Sequence, residues 1–215
     1  MPITIKLVRH GQSLANIGAV RSAEVGDHSI ALTDEGWRQA RSAGAHIGPA
    51  FLRSALVYTS PFLRARQTLQ GILAGAGVEG DKVWLREDVR LREVEHGYAD
   101  VEAQQAMRTT HGPFFYRFHG GESPADCFDR TSGFLESMMR QVEQMDANEV
   151  LIITHGLTIR CFVMRFLHLT VEQFEAMSNP GNCEIVTLAP TGALAHPVFA
   201  ARKWGVEGIR VRDGT

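Results

Sequence analysis

Hydrophobic residues along the chain fall into short continuous runs that alternate with helically spaced patterns. The short apolar runs predict strands at residues 3–8, 55–59, 83–85, 150–154, 184–188 and 194–199. The helical patterns fall at residues 34–47, about 60–74, 100–109, 123–145, 157–167 and 171–177. This alternation predicts an α/β fold, a three-layer α/β/α sandwich with a mostly parallel sheet.

Local signals predict where three of the helices begin. Thr33 or Asp34 suits the cap of the helix at 34–47. Ser60 followed by proline is typical of a helix start, because serine can cap and proline suits the first turn. Ser123, with Asp126 three residues later, resembles a capping box that opens a long helix.

The composition adds limits to this picture. The chain has 215 residues, 44% of them apolar and 21% charged, and we expect one domain over residues 1–215. A net charge of −2 argues against a dedicated nucleic-acid binder. Residues 95–121 are the least periodic and predict an insertion or lid, in which the aromatic run 114–118 is either a core strand or part of a lid.

Cysteine usage and the apolar runs bear on location. Cys127, Cys161 and Cys183 are far apart and odd in number, so we expect reduced thiols in a cytoplasmic protein. We expect no signal peptide, because the chain starts directly with a strand-like run. No apolar run is long enough to predict a membrane span.

The chain contains 19 arginines but only 3 lysines. This excess reflects either genome composition or the binding of anions by guanidinium groups.

Two His-Gly pairs follow predicted strands. His10, with Arg9 before it and Gly11 after it, comes directly after the first strand, and His155-Gly156 follows the strand at 150–154. Ligands of open α/β sheets bind beyond the carboxyl ends of the strands, and a neutral imidazole is a competent phosphoryl nucleophile. The alternatives are a chance histidine on a surface turn for the first pair and a helix-capping histidine for the second.

Further candidate groups lie near the next two strands. Arg64 is placed to reach an anion near the start of its helix, whereas Arg66 fits a solvated face. The loop at 91–97 carries Glu93, which can serve as a general acid. The glycines at 75, 77 and 80 match a dinucleotide-binding spacing, but they follow a helix and precede a strand, so we reject that reading. The other histidines suit surface or packing positions, with His96 the one to watch because it lies near Glu93.

Together these segments resemble the histidine phosphatase superfamily, which includes the cofactor-dependent phosphoglycerate mutases. The segments are LVRHGQSLAN (7–16), LTDEG (32–36), SPFLRARQT (60–68), LREVEHG (91–97), GGES (120–123) and LIITHGLTIR (151–160). Residues 112–130 and 171–185 are similar to a plant and fungal branch of phosphoglycerate-mutase-like proteins. The resemblance covers nearly the whole chain and implies a phosphoglycerate mutase-like fold.

The resemblance also implies roles for individual residues. His10 would be the nucleophile that becomes phosphohistidine, with Arg9, Arg64 and His155 around the phosphate and Glu93 as the general acid. The remaining residues expected to bind phosphate or substrate are Gly11, Ser13, Asn16, Gly156 and Asn182.

The expected function is hydrolysis of a small phosphomonoester, with no cofactor and no metal. Alternatives are a mutase and a phospho-ligand binding module that has lost catalysis. Ala15 stands where mutases often have tryptophan, and residues 97–100 depart from the usual aromatic pattern, so the substrate pocket differs from theirs. The chain is also short for a mutase. We expect no nucleic-acid or membrane partner and leave a homodimer open.

Overall fold

The central feature of the fold is one mixed β-sheet. A computed structural model describes residues 2–97, 103–201 and 203–212. Its strands are β1 (Thr4–Arg9), β2 (Leu56–Thr59), β3 (Trp84–Glu87), β4 (Glu149–Thr154), β5 (Ile185–Pro190), β6 (Val198–Ala201) and β7 (Trp204–Glu207). They form a seven-stranded sheet in the order β3-β2-β4-β1-β5-β7-β6.

Helices cover both faces of this sheet. They are α1 (Ser22–Val25), α2 (Asp34–Ile47), α3 (Pro49–Ser54), α4 (Leu63–Ala76), α5 (Gln105–His111), α6 (Pro124–Gln144), α7 (Gly156–Leu167) and α8 (Val171–Ala176). One hydrophobic core packs α6 and α7 on the sheet, and a second packs α2 and α4 on the opposite face. The predicted α/β sandwich is therefore confirmed. No helix in the described ranges is both long and apolar enough to cross a bilayer.

The parallel part of the sheet positions the carboxyl ends of three strands side by side. β4 pairs in parallel with both β1 and β2, and β3 is parallel to β2. Residues Arg9, Thr59 and Thr154, which end β1, β2 and β4, therefore lie at one edge. The pairs β1–β5, β5–β7 and β6–β7 are antiparallel, an extension that the sequence pattern did not predict.

Helix α2 packs closely against α4 because glycines face the contact. A side chain at Gly44 would collide with the carbonyl of Ile72, and one at Gly75 with that of Arg41. This close packing fixes α4, which carries Arg64, against the sheet. The predicted caps of two helices are confirmed, since Thr33 caps α2 and Ser123 forms a capping box at the start of α6.

The predicted start of the helix after β2 is wrong. Helix α4 begins at Leu63 and ends at Ala76, and Phe62 is its cap residue without a side-chain hydrogen bond. The Ser60 hydroxyl contacts a histidine on another loop and accepts the Phe62 N–H at 3.3 Å, which lies before the first residue of α4.

Other boundaries differ toward the carboxyl end. The strand expected at 194–199 starts at Val198, after a short 3-10 helix at Thr191–Ala193, and β7 was not predicted. Helices α1 and α3 were also missed. The helix expected at 100–109 is observed as α5 from Gln105, and residues 100–102 of that prediction lie outside the described ranges.

The aromatic run 114–118 packs into the core without forming a strand. Phe114, Tyr116 and Phe118 are buried, whereas Phe115 is 62% exposed. Their rings contact one another and the ring of Phe174 edge to face. Of the two predicted roles, the segment therefore fills the core, with turn rather than strand geometry.

Candidate active site

The two loops that carry His10 and Ser60 continue the hydrogen bonding of the sheet. The His10 N–H donates to the Thr154 carbonyl at 2.9 Å, and the Ser60 N–H donates to the Ile153 carbonyl at 2.9 Å. His10, Ser60 and His155 therefore lie next to one another directly beyond β1, β2 and β4. The parallel order of these strands places them together although they are far apart in sequence.

His10 is a buried, neutral imidazole. Its Nδ1 lies 2.8 Å from the Gly11 carbonyl, and because a carbonyl only accepts, the proton is on Nδ1 and the Nε2 lone pair is free. Burial lowers the pKa of His10 to about 3, with the positive charges of Arg64 and Arg9 acting in the same direction. The ring therefore carries the free lone pair that a nucleophile needs.

His155 lies beside His10 and is fully buried. The two ring centroids are 5.2 Å apart, and Nε2 of His155 is 2.9 Å from the Ser60 hydroxyl. Burial holds the pKa of His155 well below its ordinary value, helped by nearby Arg64. Its Nδ1 has no hydrogen-bond partner among the described residues. Ser60 thus orients His155, a contact that sequence reasoning missed because it interpreted Ser60 as a helix cap.

Arg64 is the most buried cation of the site, at 4% exposure. Its guanidinium forms a two-pronged ion pair with the Asp27 carboxylate, with both N–O distances 3.0 Å, and also donates to the Asp27 carbonyl at 2.6 Å. Asp27 was not predicted, since no local motif marks it and its partner is 37 residues away.

Arg9 provides the second guanidinium. Its Nη1 donates to the Pro180 carbonyl at 2.7 Å, while its buried Nε has no hydrogen-bond partner among the described residues. Burial lowers the pKa of Arg9, and the negative charge of Glu93 opposes this change. Arg9 and Glu93 both line the cavity described below.

The Glu93 carboxylate is held at the start of α7. It accepts hydrogen bonds from the Val94 N–H at 3.0 Å, the Thr158 hydroxyl at 3.2 Å and the Leu157 N–H at 3.4 Å. The Thr158 hydroxyl also lies 2.8 Å from the Arg92 carbonyl, and Thr154 donates to the Leu91 carbonyl at 2.6 Å. Thr154 and Thr158 therefore position the loop that carries Glu93. No local sequence pattern predicts this role.

Glu122 fixes the same loop from the other side. Its carboxylate pairs with the guanidinium groups of Arg92 and Arg130 and accepts the Glu95 N–H at 3.4 Å. The Glu122 N–H in turn donates to the Glu95 carbonyl at 2.8 Å. The GGES segment noted in the sequence therefore acts as a clamp on the loop that carries Glu93.

Ser13, Asn16 and Asn182 form a polar network beside His10. The amide and hydroxyl of Ser13 donate to the Asn16 side-chain oxygen at 3.0 and 3.1 Å. The Asn182 amide donates to the His10 carbonyl at 3.0 Å and to Asn16 at 3.2 Å. Asn182 thus supports His10 and Asn16 from behind, whereas Ser13 and Asn16 line the cavity described below.

Gly11 packs closely against two other elements. Its N–H donates to the Thr68 hydroxyl at 2.9 Å, and a side chain at this position would collide with the Gly36 carbonyl. Gly11 is therefore needed for close packing, and its N–H is already used. Gly156 begins α7 and packs against Asn179, outside the lining of the cavity.

A small cavity of about 170 Å³ brings most of the predicted residues together. It is lined by Arg9, His10, Ser13, Ala15, Asn16, Ser22, Asp27, Arg64, Glu93, Val94, Glu95 and His96. His96 therefore lies at the site, as its position near Glu93 suggested, whereas Arg66 pairs with Glu87 on the surface. The described residues contain no cluster of three His, Cys, Asp or Glu side chains arranged to hold a metal ion.

Known proteins with similar sequences and folds carry related names. The sequence model of the histidine phosphatase superfamily (branch 1) matches residues 5–198. Phosphoglycerate mutase-like protein AT74H of Arabidopsis thaliana is 37% identical, over 99% of this chain and 85% of that protein. Broad-range acid phosphatase DET1 of Saccharomyces cerevisiae is 24% identical, over 87% of this chain and 85% of that protein.

A solved structure gives the same result for the fold. The chain of a mycobacterial glucosyl-3-phosphoglycerate phosphatase superimposes with a TM-score of 0.73 at 22% identity, covering 100% of both chains. At this identity the likeness concerns the fold. The family match spans strands β1 to β5 and reaches the start of β6, so it includes every strand end that carries the site. The protein belongs to the histidine phosphatase superfamily.

Proposed function

We propose that the protein hydrolyses phosphomonoesters through a phosphohistidine formed on His10. The observation that carries this proposal is the state of the His10 ring, which is neutral, buried and free at Nε2 in a cavity shared with Arg9, Arg64 and Glu93. A free imidazole lone pair beside two guanidinium groups suits attack on a phosphate group.

In the first step, His10 Nε2 attacks phosphorus and forms the N–P bond while the bond to the ester oxygen breaks. Protonated Glu93 gives its proton to that oxygen, and the alcohol leaves. In the second step, Glu93 takes a proton from water, whose oxygen attacks phosphorus. The N–P bond then breaks, which releases inorganic phosphate and restores neutral His10.

The remaining groups stabilise the charge on the transferred phosphoryl oxygens. A guanidinium has five N–H groups, and the three bonds from Arg64 to Asp27 leave two for phosphate. The unpartnered Nε of Arg9 and Nδ1 of His155 supply further donors. Donors of this kind are each worth about 3–4 kcal/mol of transition-state stabilisation in other enzymes.

The names of the relatives support a phosphatase and keep a mutase as the alternative. Both classes form a phosphohistidine, and they differ in whether water or a bound phosphoglycerate takes the phosphoryl group. We favour water because the described cavity contains only two arginines, both next to His10. The three unpaired cysteines support a reducing compartment such as the cytoplasm.

The test measures phosphate release from p-nitrophenyl phosphate by the wild type and by His10→Asn. We expect turnover in the wild type, none in His10→Asn and an acid-labile phosphoenzyme only in the wild type. His168→Asn is the matched control, because His168 is exposed and its backbone φ of 54° is one that asparagine tolerates. Rapid interconversion of 2- and 3-phosphoglycerate with little phosphate release would instead support the mutase.

A further inference from the structure

A second cavity adjoins the one that contains His10. It has a volume of about 260 Å³ and shares Ser22, Asp27 and Glu95 with the reaction cavity. The ring of Phe62 forms part of its wall. Because it begins where the phosphate site ends, this cavity is the space available to the alcohol part of a bound phosphomonoester.

The ionisable groups that line this second cavity are two carboxylates and the imidazole of His28. Asp27 and Glu95 line it, and none of its described lining residues is a lysine or arginine. The Glu95 carboxylate accepts the Gly97 N–H at 3.2 Å and has no cationic partner among the described residues.

Two arginines close to this cavity, Arg92 and Arg64, are already engaged in ion pairs. Arg92 is bound to Glu122. Arg64 is bound to Asp27, and its remaining N–H groups are those assigned to the phosphate. A second anionic group in this cavity would therefore meet the Glu95 carboxylate, which has no cationic partner among the described residues, and no lysine or arginine of the described lining.

We propose that the preferred substrates are phosphomonoesters whose alcohol carries no second anionic group, and that Glu95 determines this preference. Neutral polyols and amino alcohols fit the second cavity, whereas carboxylates and second phosphates are repelled. This inference rests on the proposed phosphatase activity. It narrows the substrate class of the same site.

The experiment compares glycerol 3-phosphate with 3-phosphoglycerate, which differ only in a hydroxymethyl group against a carboxylate. We expect kcat/KM to favour glycerol 3-phosphate at low ionic strength, and the preference to shrink in high salt as screening increases. Phosphoethanolamine, with a cationic amine, tests the opposite charge and is expected to be accepted at least as well as glycerol 3-phosphate.

Two substitutions assign the preference to Glu95. For charges roughly 8 Å apart in a cleft of effective dielectric constant about 40, Glu95→Gln raises relative kcat/KM for 3-phosphoglycerate about fivefold, and Glu95→Lys about thirtyfold. The matched control is Glu79→Lys, which makes the same change in net charge at an exposed position outside both cavities.

The outcomes separate this inference from the proposed function. A wild type that prefers 3-phosphoglycerate, or a ratio unchanged by Glu95→Lys, would overturn the inference while hydrolysis of p-nitrophenyl phosphate still supports the phosphatase. A protein that releases phosphate from none of these esters would overturn the proposed function and this inference with it.

Discussion

Protonation of His10 links the candidate active site to the stability of the fold. The folded-state pKa of about 3 lies far below the value of about 6.5 expected in the unfolded chain. Between these values the unfolded chain binds a proton that the folded protein does not. The free energy of unfolding is therefore highest above pH 6.5 and falls as the pH is lowered toward 3.

The size of this effect follows from the two pKa values. His10 alone lowers the free energy of unfolding by about 2 kcal/mol at pH 5 relative to pH 8, and by about 3 kcal/mol at pH 4. His155, whose pKa is lowered in the same direction, adds to this loss. The folded state resists a proton on His10 mainly because the ring is buried, and the positive charges of Arg64 and Arg9 add to this effect.

Guanidinium unfolding at pH 8 and pH 5, in buffers without phosphate, measures the effect. The free energy of unfolding should fall from pH 8 to pH 5 in both proteins. We expect the fall to be about 2 kcal/mol smaller in His10→Asn than in the wild type. Taking the difference within each variant removes the cost of the substitution itself. The exposed control His168→Asn should behave like the wild type. An equal pH dependence in His10→Asn and the wild type would refute the reasoning.

The remaining predictions concern catalysis, with p-nitrophenyl phosphate as the reference substrate. Ser60→Ala removes the hydrogen bond to His155 and should lower kcat/KM about 10- to 100-fold, equivalent to ~1–3 kcal/mol. Ser60→Thr retains the hydroxyl and should keep most of the activity. Equal losses of activity in Ser60→Ala and Ser60→Thr would contradict the role of the Ser60 hydroxyl in positioning His155. Glu93→Gln should slow alkyl phosphates about 100-fold or more and aryl phosphates much less, because only poor leaving groups need the proton. A chelator should leave activity intact, since arginine and histidine supply the positive charge; a loss restored by Mg²⁺ would contradict this.

Features with a local cause could be predicted from the sequence. Strand β4 follows from five apolar or β-branched residues in a row, and the capping box of α6 follows from Ser123 and Asp126, which are only three positions apart. The positions of His10 and His155 beyond their strands follow from the same patterns. The resemblance added the role of Glu93, which no local pattern distinguishes from other carboxylates on loops.

Features that depend on distant partners could not be predicted. The Ser-Pro pair at position 60 has the local form of a helix start, but the contact between Ser60 and His155 joins residues 95 positions apart. The pairing of Arg64 with Asp27 and that of Arg92 with Glu122 likewise join residues that are distant in sequence. Strand β7 was missed because it has only four residues and is stabilised by pairing with β5 and β6 rather than by a local sequence pattern.

The backbone bonds that extend the sheet into the site have a consequence for hydrogen exchange. The His10 amide is bonded to Thr154, and the Ser60 amide to Ile153, in the most buried part of the sheet. Amides of this kind exchange with solvent only when the cooperative unit around them opens. We expect both amides to exchange as slowly as those of β4, and activity to disappear at the temperature at which the sheet itself unfolds. The part of the site that contains His10 and Ser60 should therefore have no separate local melting step.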